Sequence, residues 1–251
     1  MTRNSETQFN ALANQYASSH VHRFGASLPV MLELADPKPS GIMLDIATGT
    51  GNTALTFAPF VSHVTGVDLA VKMLEAARAR ALEEGVMNAV FLEGSAENLP
   101  FADASFDLVT SRHAPHHFRD AAQFLLEVAR VLKPNGRFVM ADQVTLEAGN
   151  QAWVDEYQRT RDGSHFTQRT AQQWQNLARA AGLRIVRDSI VPYRLEFAWW
   201  TRMAGCTSEQ ISRLLQLLET APDEIQLERD PDGSVVAHTE PMLVVRCEKV
   251  D

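Results

Sequence analysis

The chain has 251 residues, 45% hydrophobic and 22% charged. This composition excludes the disordered, collagenous and disulfide-stapled classes and leaves room for one sizeable core with a cleft. The net charge of -8, from 31 acidic and 23 basic residues with no Lys/Arg block, offers no footprint for a phosphate backbone, so nucleic acid is not an expected partner. Cys206 and Cys247 lack the spacing of a zinc site, and no apolar run is long enough for a signal peptide or membrane span, so a cytoplasmic location is expected.

Two amphipathic helices are expected over 5–17 and 20–35, with Pro37-Lys38-Pro39-Ser40-Gly41 as the break after them. Ile42 to Ile46, Val61 to Val67, Ala89 to Leu92, Phe106 to Ser111 and Gly136 to Ala141 are compact runs of the length of buried parallel strands. Between them Thr53 to Phe60, Ala70 to Glu84 and Ala121 to Leu132 read as helices, the last ending before Pro134-Asn135-Gly136. This rhythm predicts an α/β fold, a Rossmann-like doubly wound and mostly parallel sheet with helices on both faces. Farther on, 150–162, 170–181 and Ser208 to Glu219 look helical, and Leu183 to Val191 reads as a sixth strand. Ile225 to Glu228 and Ser234 to Ala237 flank the turn Pro231-Asp232-Gly233, and Met242 to Glu248 ends the chain as a strand. The seventh and last strand, reached through this hairpin-like connection, is expected to be antiparallel.

The strongest local motif is Leu44-Asp45-Ile46-Ala47-Thr48-Gly49-Thr50-Gly51, which follows a strand and opens a helix. Its glycines let the backbone turn tightly and approach a ligand, although an ordinary strand-to-helix turn would look the same. Asp68 ends the second strand, where a carboxylate accepts hydrogen bonds from the two hydroxyls of a ribose. It would serve equally as the N-cap of the helix that follows.

With Gly94-Ser95-Ala96-Glu97-Asn98-Leu99-Pro100-Phe101, Ser105 to Val109 and Val131-Leu132-Lys133-Pro134-Asn135-Gly136-Arg137-Phe138 added, Ile42 to Asp142 resembles the class I S-adenosylmethionine-dependent methyltransferases. The small-molecule branch of quinone C-methyltransferase-like proteins is the part it resembles most. The resemblance implies S-adenosylmethionine as cofactor and roles for particular residues. Ala47, Thr48 and Gly49 would line its methionine end, with Gly51 completing the loop and Asp45 beneath it. Asp68 would hold the ribose, Leu69 and Met73 would pack on the adenine, and Ser95 and Ala96 would meet its polar edge. Two departures from the commonest pattern are Ala47 in place of a first glycine and Ser95 in place of an aspartate. One domain over 1–251 is expected, with a helical lid over 1–36, a cofactor core over 41–142, and cap elements over 143–182 and 192–222.

Thr110-Ser111-Arg112-His113-Ala114-Pro115-His116-His117-Phe118 ends the fourth strand. By the same resemblance this loop passes the sulfonium, so Ser111 and His113 join the cofactor set; no carboxylate follows the three histidines at ligand spacing and only Asp142 ends a neighbouring strand with an acid, so no metal is expected. A histidine near neutral pKa suits removal of a proton from an acceptor hydroxyl or amine. His116 and His117, with His165 from Arg161-Asp162-Gly163-Ser164-His165-Phe166, are the candidate bases, and each reads also as a pocket wall. All four tryptophans, Trp153, Trp174, Trp199 and Trp200, follow the fifth strand, as expected for a cap over an aromatic or apolar small-molecule acceptor, or for core packing. The functional expectation is methyl transfer to O, N or C of such an acceptor. Its alternatives are other chemistry on the same fold, such as a cyclisation, and non-catalytic cofactor binding.

Overall fold

A computed structural model describes residues 5–17 and 25–250. Among the described residues eight strands form one sheet, and two helices precede them in the chain. β1 (Ile42–Ile46), β2 (His63–Asp68), β3 (Ala89–Glu93), β4 (Phe106–Arg112) and β5 (Leu132–Gln143) are mutually parallel, whereas β8 (Val235–Lys249) runs antiparallel to β5, to β6 (Leu183–Glu196) and to the short β7 (Gln226–Arg229). The sheet order is β3-β2-β1-β4-β5-β8-β6, with β7 on the edge of β8. Strand order reverses between β1 and β4, so the crevice at their carboxyl ends is where an open α/β sheet takes a ligand. The two preceding helices are α1 (Ser5–Ala17) and α2 (Ser27–Ala35). The part of the expected second helix at 20–24 lies outside the described residues.

The remaining helices are α3 (Asn52–Phe57), α4 (Val71–Glu83), α5 (Ala121–Val131), α6 (Gln151–Arg161), α7 (Ala171–Ala180), α8 (Phe197–Met203) and α9 (Ser208–Leu218). Their starts follow from local chemistry. Asp120 caps α5 by accepting from Gln123 N at 2.8 Å, and Thr170 with Gln173 and Thr207 with Gln210 form capping boxes on α7 and α9. Alternation along each strand divides the core between the two faces of the sheet. Met43, Val139 and Val244 face one cluster with Met31, Phe57 and Leu74. Leu44, Met140 and Val245 face the other, with Phe124, Val128 and Trp174.

Three departures from the sequence pattern have physical causes. Val61 and Ser62 form a bend, after a 3-10 turn containing Pro59, so β2 begins at His63. β5 begins at Leu132, because Leu132 already pairs with Phe106 at the start of β4, and the Pro134-Asn135-Gly136 segment falls within the register shift before Arg137 pairs with Leu108. The pieces expected at 234–237 and 242–248 are one strand, and β6 continues to Glu196 beside it. Pro192 lies opposite Pro241, so two residues that look like strand breakers share one register position and lose no donor to each other. Residues 192–196, expected in the cap, are therefore sheet, and β7 brings the strands among the described residues to eight.

Candidate active site

β1 delivers the glycine loop. Ala47, Gly49 and Gly51 all have left-handed backbone, with φ of 54°, 54° and 78°, and the chain turns directly into α3. A Cβ on Gly49 would meet nothing within 4 Å, whereas one on Gly66 of the neighbouring β2 would lie 2.7 Å from the Phe91 ring and 2.8 Å from Thr48 Oγ1. Gly66 is thus the place where the loop comes down onto the sheet, and Gly49 faces open space. Beneath the loop, Thr48 and Thr110 hydroxyls donate to the two oxygens of Asp45 at 2.6 and 2.7 Å. Burial pushes the Asp45 pKa up to about 6 against the pull of those two hydroxyls and of Arg112.

A cavity of about 310 Å³ opens above, in the size range of small-molecule sites. Ala47, Thr48, Gly49, Asp68, Leu69 and Met73 line it, as do Ser95 and Ala96. Asp45 and Gly51 do not; they support the loop from below. Asp68 is not a helix cap in the strict sense, because the residue preceding α4 is Ala70 and has no side-chain cap. Its Oδ1 accepts Ala70 N and its Oδ2 accepts Gly49 N, both at 2.8 Å, so the carboxylate ties the glycine loop to the start of α4. Burial raises its pKa, opposed by these N–H groups. Ser95 Oγ accepts from Glu97 N at 3.2 Å, which leaves its proton available to donate. The segment carrying Ser95 is anchored from α5, where Glu127 accepts Leu99 N at 2.7 Å and Arg130 donates to Phe101 O at 2.6 Å.

The other half of the cavity is built by the loop after β4, the turn after α6, and α1. Phe166 N and Thr167 N both donate to His116 O, at 3.0 and 3.1 Å, so the turn at 162–167 folds back onto the fourth-strand loop. The three histidines meet there, with ring centroids of His116 4.1 Å from His117 and 5.5 Å from His165. Their environments differ. His116 Nδ1 lies 2.7 Å from Asp142 Oδ1, at the end of β5; burial lowers its pKa, but Asp142 outweighs that and the net shift is upward. His117 lies under Phe9, edge to face at 5.1 Å, with Nδ1 3.1 Å from Ser164 Oγ. Burial and the neighbouring His116 hold its pKa well down. His165 Nε2 is 2.9 Å from Asp155 Oδ1, and burial lowers its pKa against that carboxylate.

His113, His116 and His117 line the cavity; His165 and Ser111 are buried and do not. Among the described residues Ser111 Oγ has no hydrogen-bond partner, whereas His113, in left-handed backbone, lies tilted against Tyr193 from β6 with ring centroids 4.8 Å apart. Trp199 and Trp200 of α8 reach the cavity, while Trp174 is buried in the opposite core cluster. From α1, Glu6 and Phe9 line it, and Gln8 Nε2 donates to Asp162 Oδ1 at 2.6 Å. The sequence reading missed these α1 residues, Arg112, Gln143 and the pairing of His116 with Asp142. Only the last had a local signal, an acidic residue ending the fifth strand. Among the described residues no three His, Cys, Asp or Glu side chains group as metal ligands, and no helix is long and apolar enough to cross a membrane.

The cavity thus joins a loop fit for a nucleoside to a histidine backed by a carboxylate. Comparison with known proteins gives the family. Residues 44–140 match the model of the methyltransferase domain family. The chain is 35% identical to the uncharacterized methyltransferase YcgJ of Bacillus subtilis, over 88% of this chain and 87% of that one. The crystal structure of a putative methyltransferase from Bacillus halodurans, 27% identical, covers 90% of this chain and 100% of its own with a TM-score of 0.85. The ubiquinone/menaquinone C-methyltransferase UbiE of Brucella anthropi is 36% identical, but over 50% of this chain and 49% of that protein. From its sheet order, its glycine loop and these relatives, the chain belongs to the class I methyltransferases, the family whose methyl donor is S-adenosylmethionine.

Proposed function

We propose that the chain methylates a small, partly aromatic acceptor, with His116 as the base that takes the acceptor's proton. The observation that carries this reading is the 2.7 Å contact of His116 Nδ1 with Asp142, in a cavity that also contains the glycine loop. A carboxylate on Nδ1 fixes the tautomer with its proton there, so Nε2 is the basic atom. The raised pKa makes that atom a stronger base than an ordinary imidazole.

The residues present fit the donor. Gly49 leaves open space beside Asp68, whose carboxylate keeps lone pairs for two ribose hydroxyls after accepting one N–H on each oxygen. Leu69 and Met73 offer apolar surface to the adenine, Ala96 lies beside them, and the Ser95 hydroxyl donates to a ring acceptor. When bound, S-adenosylmethionine supplies an electrophilic methyl on a positively charged sulfur. The remaining work is alignment of the acceptor and removal of its proton. His117, kept neutral under Phe9, and His165, held by Asp155, are assigned to packing around His116 rather than to proton transfer.

The test is formation of S-adenosylhomocysteine from S-adenosylmethionine with a fractionated metabolite extract. Once a methylated product is isolated, His116→Ala should lower its turnover by roughly 10²- to 10⁴-fold with donor affinity unchanged. Full turnover in that variant would remove His116 as the base.

A further inference from the structure

Behind the acceptor end of the cavity lies a second carboxylate that proton transfer does not use. Glu240, on β8, is wholly buried, yet its pKa is lowered, because hydrogen bonds from His238, Gln143 and Gln158 outweigh burial. Gln158 Nε2 donates to its two oxygens at 2.8 and 2.9 Å, His238 Nε2 is 3.0 Å from Oε1, and Gln143 Nε2 donates to Oε2 at 3.1 Å. An ionised carboxylate only accepts. It therefore dictates which way each amide is turned, with the NH₂ end toward Glu240. Gln158 is buried away from the cavity. Gln143 lines it, one residue beyond the aspartate that backs His116. With its nitrogen committed, its carbonyl is the end left for the cavity.

We infer that Gln143 is a specificity-determining residue, whose carbonyl, aimed by Glu240, accepts a hydrogen bond from an O–H or N–H of the methyl acceptor. The inference rests on the reading of this cavity as a methyl-transfer site. An amide free to turn would take a donor or an acceptor equally well. One fixed by a buried carboxylate offers only an acceptor, so a ligand group without a proton leaves the carbonyl desolvated and unpaired. Tyr193 and Trp200 on the cavity wall provide flat surface for a ring that would carry this group.

The test uses phenol and anisole, which share a ring and differ in the donor. Both are titrated by ligand-observed NMR, at millimolar concentration, into the full chain saturated with S-adenosylhomocysteine. Wild type should bind phenol about tenfold tighter than anisole. Gln143→Met, which leaves Gln158 and His238 on Glu240, should bring the ratio to within about twofold while the affinity for S-adenosylhomocysteine stays unchanged. Glu240→Gln, which frees the amide to turn, should also collapse the preference; where that variant fails to fold, Gln143→Met decides alone. Absence of phenol binding, no preference in wild type, or a preference retained in Gln143→Met overturns the inference. Loss of S-adenosylhomocysteine affinity in Gln143→Met also overturns it, because the carbonyl would then serve the methyl donor. Failure of the methyl-transfer reading itself is distinguishable, since wild type would then form no S-adenosylhomocysteine from S-adenosylmethionine with any acceptor fraction, whatever the outcome of the phenol and anisole titrations.

Discussion

Asp142→Asn isolates the contribution of the carboxylate behind His116. The side chain keeps its shape, but the contact at 2.7 Å loses its charge. A charge-assisted hydrogen bond of this kind contributes about 1.5–3 kcal/mol, which at about 1.4 kcal/mol per pKa unit lowers the His116 pKa by about one to two units. In wild type the pKa is raised, so the unprotonated base appears only as pH rises through a value above the ordinary imidazole range. The rate should rise with pH through that value. In Asp142→Asn the midpoint should move to lower pH, and the plateau should fall by about tenfold or more, because the base is weaker and its tautomer is no longer fixed. Stability follows the same linkage. A histidine with a raised folded pKa stabilises the fold fully below its unfolded pKa, and that contribution disappears as pH rises through the folded value. The mutant's loss of thermal stability should therefore be greatest in acid and shrink toward alkaline pH. The assays are pH profiles of methyl transfer and of thermal unfolding for both proteins. An unshifted rate midpoint together with a pH-independent stability difference would refute the pairing as the source of basicity.

Other perturbations separate the donor half from the acceptor half. Asp68→Ala should weaken S-adenosylmethionine binding by about 1.5–3 kcal/mol in calorimetry, through loss of charge-assisted hydrogen bonds, and unchanged affinity in a folded variant would contradict the ribose assignment. Gly66→Ala places a Cβ 2.7 Å from Phe91 and 2.8 Å from Thr48 Oγ1; overpacking of this kind costs about 1–3 kcal/mol, read as a lower denaturant midpoint with weaker donor binding. His165→Gln should lower thermal stability, since Asp155 loses its 2.9 Å partner, yet leave the pH midpoint of the rate in place. A displaced midpoint would move the base from His116 to His165.

The nucleotide-side residues were legible because they are carried by one contiguous strand-loop-helix pattern and by the end of the next strand. Ala47, Thr48, Gly49, Asp68, Leu69 and Met73, to which the resemblance gave cofactor roles, line the cavity. The acceptor side was less legible, because its chemistry is made by contacts across long sequence separations. His116 is 26 residues from Asp142, and Gln8 is 154 residues from Asp162. Local periodicity carries no information about such pairs. The same limit explains β6 and β8, where Pro192 and Pro241 read singly as interruptions and are compatible with strand only because they face each other. Ser111 is a different case, because the two-residue alternation of a strand is local: Arg112 lines the cavity and its neighbour Ser111 does not.

One arrangement recurs at three places around the cavity. Asp45 sits behind Thr48, Asp142 behind His116, and Glu240 behind Gln143. Each carboxylate is almost wholly buried, while the group it holds lines the cavity. Burying a charge is costly unless it is hydrogen-bonded, and in each case at least one of the hydrogen bonds comes from a group that lines the cavity. A neutral side chain at a cavity wall could otherwise rotate or change tautomer, and its polarity toward a ligand would be undefined. With a fixed acceptor behind it, the hydroxyl proton of Thr48 points inward, the proton of His116 rests on Nδ1, and the amide of Gln143 turns its nitrogen away from the cavity. Above the His116 pKa the ligand would therefore meet oxygen lone pairs and an unprotonated Nε2, a polarity suited to cationic and proton-bearing groups. A sulfonium donor with its ammonium group, and an acceptor that must surrender a proton, are partners of that kind.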